Sequence, residues 1–178
     1  MALNNKNKIV KMNFFISMLM LLCNMGCSHN PEPETYLIPK GFTGRVDVIL
    51  NQKNGTPVKY ENGRRVYEIP DNGILLTQFK DEYGIVNRQY YYVDSAGNRF
   101  SLPIYQYQHN DDGTTTPIVK DNNEIGIFID GTTGIYGDSL DNRVPYQEFI
   151  VSNFDNLKKI EPLDSFLLRM KRVTGFNY

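Results

Sequence analysis

Turn-forming residues cut this chain into short pieces, and that spacing constrains its fold more than any other feature. Residues 40–44, 51–55, 61–63, 70–73 and 94–98 each gather Gly, Asn, Asp or Pro, which either tolerate positive φ or fix it for a turn. The apolar runs between them are short. Residues 45–50 alternate Val46, Val48 and Leu50 with Arg45, Asp47 and Ile49, the period-two pattern of a half-buried strand. Asn54-Gly55 is a hairpin signal. The chain holds 12 Tyr, 10 Phe and no Trp, and aromatic residues favour strands over helices.

Further strands are expected at 36–39, 64–69, 74–79, 88–93, 99–105, 124–130 and 146–151. Residues 107–123 are polar and read as a long loop or a weak hairpin. The tail changes period. Ser152-Asn153-Phe154-Asp155 resembles a capping box that opens a short helix ending near Ile160. After Pro162, Leu163, Phe166, Leu167 and Met170 recur at i, i+3, i+4 and i+7. Glu161 and Asp164 stand at the start of that stretch, and Arg169, Lys171 and Arg172 at its end, matching a helix dipole; Gly175 can stop it. The expected fold is mainly β: an antiparallel β-sandwich or open barrel with a C-terminal amphipathic helix across one face or edge.

The first 27 residues have a different character. Lys6, Lys8 and Lys11 precede an uncharged, mostly apolar run over 12–23, and Gly26 sits directly before Cys27. This is the layout of a bacterial secretion signal. The run is too short to cross a hydrocarbon core, which takes about 20 apolar residues. It resembles the lipoprotein class of signals, in which a small residue precedes a lipid-bearing cysteine. Cys27 fits that place, whereas Cys23 follows the bulky Leu22. The position three before Cys27 is Asn24, where Leu is usual. The expected organisation is a signal peptide at 1–26, a lipid-anchored tether at 27–35, a β domain at 36–160 and the C-terminal helix at 161–178. The expected location is extracytoplasmic, held to a membrane by lipid on Cys27, the outer membrane if the cell has one. Cys23 and Cys27 are the only cysteines, so residues 28–178 contain no disulfide and rely on an apolar core.

Function classes narrow by chemistry. Without residues 1–26 the chain has 16 Lys and Arg against 20 Asp and Glu, with no basic stripe to neutralise phosphates, which argues against nucleic acid as a partner. Gly137-Asp138-Ser139-Leu140 spells an esterase nucleophile block, but no histidine follows it to act as base. It reads as a Gly- and Asp-rich loop. His29 and His109 are the only imidazoles, a poor zinc set. Residues 110–114 and 121–124 are rich in oxygen but lack the EF-hand spacing, so Asx turns explain them. No catalytic residue, metal ligand or cofactor is assigned. The aromatic group Tyr90, Tyr91, Tyr92, Tyr105 and Tyr107 offers the one candidate binding surface. On it Tyr90, Tyr92, Tyr105 and Tyr107 could stack on a sugar or meet a protein, while cross-strand pairs that stabilise the sheet are the favoured reading of the same residues.

Residues 36–44 (YLIPKGFTG), 63–70 (GRRVYEIP) and 73–79 (GILLTQF) resemble a family of small bacterial lipoproteins that share a domain of unknown function. The likeness covers roughly 35–157. It implies a secreted, lipid-anchored β domain and supplies no catalytic residues. A weaker likeness is to transthyretin-like sandwich modules. The resulting expectation is a lipid-anchored envelope domain of unknown molecular activity, a binding or structural module rather than an enzyme, whose partner is an envelope protein or glycan. The alternative is a carboxylate-dependent envelope hydrolase acting on glycan or peptide.

Overall fold

The chain builds its sandwich by crossing repeatedly between two sheets. The computed structural model describes residues 30–137 and 143–175. The strands are β1 (Glu34–Pro39), β2 (Gly44–Ile49), β3 (Tyr60–Glu61), β4 (Arg64–Glu68), β5 (Ile74–Leu76), β6 (Arg88–Val93), β7 (Arg99–Ser101), β8 (Tyr107–His109), β9 (Thr115–Pro117), β10 (Gly126–Tyr136) and β11 (Val144–Ser152). One helix, α1 (Leu163–Thr174), follows. The first sheet has the order β3-β4-β1-β6-β7 and the second β10-β11-β2-β5, while β8 and β9 pair as a separate hairpin. The chain visits the second sheet at β2 and again at β5, and the two returns to the first sheet place β4 and then β6 running the same way as β1. Pairing is therefore mixed: β1 lies parallel to both β4 and β6, and β2 parallel to β5, with antiparallel ladders elsewhere. The parallel pairs cannot be closed by tight hairpins and need such long crossovers.

The expected mainly-β sandwich with a C-terminal helix is what forms. Its core lies between the sheets, where Tyr36, Ile38, Tyr67, Tyr90 and Tyr92 face Val46, Val48, Phe149 and Val151. Parallel register puts Tyr67 and Tyr90 directly beside Tyr36. The three rings stack, with centroids 4.9 and 4.7 Å from Tyr36, and Phe149 meets both Tyr36 and Tyr90 edge-on. Each such pair is worth about 0.5–1.5 kcal/mol beyond its burial.

Three sequence expectations change in the structure. β2 is buried on both faces, not one, and Asp47 and Ile49 are fully covered. The cover is α1: Met170 packs with Ile49 and Ile74, and Leu167, Leu76, Tyr136, Val144 and Tyr146 close around them. The helix ends where Gly175 takes a φ of 73° and returns its N–H to the Lys171 carbonyl at 2.9 Å. The short helix expected from Ser152 shrinks to a 3-10 turn at Leu157–Lys159. Ser152 still belongs to β11, and the Asn153 side chain accepts the Asn156 N–H at 2.9 Å in its place. Finally, residues 32–35 belong to the domain and not to a free tether. β1 starts at Glu34, the Glu32 carboxylate pairs with the buried Arg65 at 2.6 Å, and the Glu32 N–H donates to Glu82 at 2.9 Å. Arg65 carries its charge inside and is paid for by these acids, since a buried unpaired guanidinium is costly.

The outer face of the second sheet carries another cluster, Tyr105, Phe128 and Ile150, beneath Tyr107 of the β8–β9 hairpin, Val119, Leu157 and Ile160. Of the two expectations for 107–123, a long loop or a weak hairpin, the hairpin forms, as this β8–β9 unit.

Candidate functional site

The site begins with an irregularity in β10. From Phe128 to Thr132 that strand advances four residues while β11 advances two, from Ile150 to Glu148. The surplus is taken up by Ile129, whose φ is 53°, and Gly131, whose φ is 80°. A β-branched residue in the left-handed region is strained, and such strain persists only where the surroundings enforce it. The Ile129 N–H is held by the Tyr107 hydroxyl at 3.1 Å, and its carbonyl accepts from Thr132 Oγ1 at 2.9 Å. A bulge re-aims side chains. Here it turns Asp130 inward, where its Oδ1 accepts the Tyr90 hydroxyl at 2.5 Å.

Beside Asp130 lies Arg88, the first residue of β6. Its Nε donates to Glu34 Oε2 at 2.9 Å. Glu34 is buried at the first position of β1 and collects three further donors: the Tyr36 hydroxyl at 2.7 Å, the Tyr67 hydroxyl at 3.3 Å and Gln147 Nε2 at 3.1 Å. The Tyr36 hydroxyl also lies 2.6 Å from Gln147 Oε1. The core tyrosine stack thus ends in a polar cluster that fixes one face of the Arg88 guanidinium. Among the described residues no acceptor meets Nη1 or Nη2 of Arg88, and no ion pair joins Arg88 to Asp130.

Burial sets the electrostatics. It pushes the Tyr36 hydroxyl well above its ordinary range, with the Glu34 charge adding to the effect. Burial likewise raises Tyr90, reinforced by Asp130, so both donate as neutral phenols. For Arg88, burial opposes the charge, but Tyr36, Glu34, Tyr90 and Asp130 outweigh it and its pKa is raised. The guanidinium stays cationic.

Arg88 and Asp130 form the floor of a cleft of about 280 Å³, walled by residues 81–86, Gly131 and Thr133. The wall is anchored by Arg65, which pairs with Glu82 and donates to the Lys80 carbonyl at 2.7 Å. A side chain at Gly131 would lie 3.2 Å from Arg88 Nη1, so the glycine keeps the guanidinium clear. At the rim, Tyr83 and Ile85 are exposed. Chemically, the cleft presents a fixed guanidinium fork and a carboxylate side by side, which suits holding a small polar group. Glu82 is engaged by Arg65 and Asp130 by Tyr90.

The four tyrosines expected to form a surface are placed differently. Tyr90 is 2% exposed and belongs to the core stack. Tyr92 is buried, donates to the Phe42 carbonyl at 2.5 Å, and burial pushes its hydroxyl up to about 12. Tyr105 is buried and donates to the Glu124 carbonyl at 2.9 Å. Tyr107 is half-buried beneath its hairpin. They form no common exposed face, because Tyr90 and Tyr92, two apart on one strand, both point inward. The structure does bring Tyr90 and Tyr107 to the bulge, one through Asp130 and one through the Ile129 N–H.

The loop acids 112 and 121 make Asx turns to the Thr114 and Asn123 N–H groups, both at 2.9 Å. His109 meets Thr115 Oγ1 at 3.2 Å on an exposed hairpin. Among the described residues no three His, Cys, Asp or Glu side chains converge as a metal set, and no helix is long and apolar enough to cross a membrane. Cys27, His29 and residues 138–140 of the esterase-like block lie outside the described residues. Sequence reasoning missed Glu34, Arg88, Asp130 and Gln147 as a set; the signals available were the Gly131 break within a strand and an acid at the start of β1.

A family of unknown function, DUF6843, matches residues 30–158. The chain belongs to that family. The matched span holds the whole cleft and ends before α1. A similar solved structure is a "putative lipoprotein" from Bacillus anthracis, with a TM-score of 0.55 and 19% identity over 81% of this chain and 95% of that one. At that identity the likeness is one of fold. No curated protein matches the chain.

Proposed function

We propose that this protein is a non-catalytic, lipid-anchored binding module of the cell envelope that holds a small polar group, presented by an envelope protein or glycan, in the Arg88–Asp130 cleft. Two lines support the anchor: the lysine-led apolar segment ending at Gly26-Cys27, and the name lipoprotein carried by the structural neighbour. One observation carries the binding reading. Arg88 is fixed on one side by Glu34 and offers two N–H₂ groups, without protein acceptors among the described residues, to a cleft. A partly buried guanidinium whose unspent donors face a cleft is primed for a ligand.

The anchor is tested by palmitate labelling of cells that express wild type or Cys27→Ala. Label is expected on wild type alone, and equal labelling refutes the anchor. The cleft is tested by amide NMR of the full chain in detergent against a library of small polar compounds. Shifts are expected at Val86, Gly131 and Thr133. A library that leaves those amides unmoved refutes the binding reading.

A further inference from the structure

We infer that the cleft recognises an amino-acid head group, an ammonium and a carboxylate on one carbon. The inference rests on the binding reading above and narrows its ligand. Three charges set the field at the floor: Arg88 and Asp130 line it, and Glu34 is buried behind Arg88. Glu34 already offsets Arg88, so the three together are net negative. A lone carboxylate or phosphate on Arg88 adds a second uncompensated negative charge beside Asp130, with Asp81 and Glu82 in the wall. Anions without a counter-charge are therefore disfavoured. A lone amine on Asp130 balances the floor but leaves both Nη groups of Arg88 without an acceptor once water is displaced, which is costly.

A zwitterion meets both demands. Its carboxylate takes the two Nη donors in the fork geometry that guanidinium favours. Its ammonium meets the Asp130 carboxylate, whose Oδ1 is steadied by Tyr90 at 2.5 Å, while Thr133 lines the same wall. Arg88 and Asp130 line the same cleft, and Asp130 helps to hold the Arg88 charge, yet the two make no direct ion pair. A ligand with two opposite charges can bridge them. The volume, about 280 Å³, takes a group of amino-acid size and excludes a larger one unless it enters by its end. The rim residues Tyr83 and Ile85 can cover the apolar part of such a ligand. The Ile129 and Gly131 conformations are what set Asp130 opposite Arg88, so the strain in β10 has a purpose here.

The test is an NMR and calorimetric titration of the full chain in detergent with glycine, Nε-acetyl-lysine, propionate and ethylamine. Glycine and Nε-acetyl-lysine are expected to bind at least about 10-fold tighter than propionate or ethylamine, since each missing charged contact costs that much. Tighter Nε-acetyl-lysine than glycine identifies a head group tethered through its side chain; equal affinity identifies a free amino acid. Asp130→Asn keeps an acceptor for Tyr90 and removes the charge, so it is expected to fold and to lose at least about 10-fold for glycine without losing propionate. Arg88→Lys keeps the charge beside Glu34 but not the fork, and is expected to weaken both glycine and propionate. Glycine binding that Asp130→Asn leaves unchanged, or ethylamine and propionate binding as tightly as glycine, overturns the inference. Shifts at Val86, Gly131 and Thr133 with other compounds but with no amino acid overturn the head group and leave the binding reading standing; no shifts with any compound overturn both.

Discussion

Asp47→Asn is expected to make the fold less sensitive to pH, and the size of the effect follows from how α1 seals that residue. Asp47 is fully covered, one of its oxygens accepts the Tyr136 hydroxyl at 2.7 Å, and the other, Oδ1, has no hydrogen-bond partner among the described residues. Around it stand Glu148, directly opposite on β11, and Arg45, which pairs with Glu148; on the same face of β2, Ile49 packs under Leu167 and Met170 of the helix. Burial raises the Asp47 pKa from 3.8 to about 7, with Glu148 adding and Tyr136 and Arg45 opposing. A carboxyl that holds its proton more tightly when folded costs nothing below about pH 4, where both states are protonated. It then destabilises progressively up to the folded pKa. At 1.36 kcal/mol per unit, ionised Asp47 costs about 4 kcal/mol above pH 7, and about 3 kcal/mol of that appears between pH 5 and pH 8. Asn cannot ionise and keeps an acceptor for Tyr136. Urea unfolding of both proteins at pH 5 and pH 8 is expected to show the stability difference, variant minus wild type, rising by about 3 kcal/mol between the two pH values. The steric and hydrogen-bonding consequences of the substitution are the same at both pH values and cancel. A difference that stays constant refutes the idea that Asp47 titrates inside the fold.

Three other outcomes follow from the packing. Met170→Ala opens a cavity under α1 and is expected to cost about 2–5 kcal/mol; by admitting water it should also lower the Asp47 titration, so an unchanged pH profile would count against the helix as its seal. Tyr36→Phe removes the hydroxyl between Glu34 and Gln147 and is expected to lose about 1–3 kcal/mol in urea unfolding, whereas a neutral result would show the cluster does not depend on it. Gly134→Val would place a Cβ 2.6 Å from two Tyr146 ring carbons, forcing Tyr146 out of its stack on Tyr136, whose centroid is 3.9 Å away; about 1–3 kcal/mol is expected to be lost, and wild-type stability would contradict the close contact.

The fold class was legible because turn residues and period-two runs are local signals, as at 45–50 and at the 107–117 hairpin. The C-terminal helix was legible from Leu163, Leu167 and Met170 at helical spacing. Pairing was not legible. Nothing in the sequence says that β1 lies between β4 and β6, since register and direction come from crossovers and not from any one strand. That gap hid the cleft. Glu34, Arg88, Asp130 and Gln147 are far apart in the chain and meet only through a parallel ladder, the packing of one sheet on the other and a bulge. It also hid which way Tyr90 and Tyr92 point, because alternation gives two faces and does not say which is buried. Glu32 and Glu34 sat in a proline-rich stretch with the composition of a linker, and their role depends on Arg65 and Arg88, more than 30 positions away.

The place of β1 has a mechanical consequence. A pull on the N-terminal side of this domain passes through the Glu32 contacts into the strand that runs through the middle of a sheet, with β4 and β6 bonded to its two sides and pointing the same way. Tension entering there acts along the strand, so the hydrogen bonds of both ladders are loaded in shear and must yield together. A strand peeled from an edge gives up its bonds one at a time. The domain is therefore built to resist force at the end where the proposed lipid anchor would attach, and Glu34, at the head of β1, locks that end to Arg88 on β6.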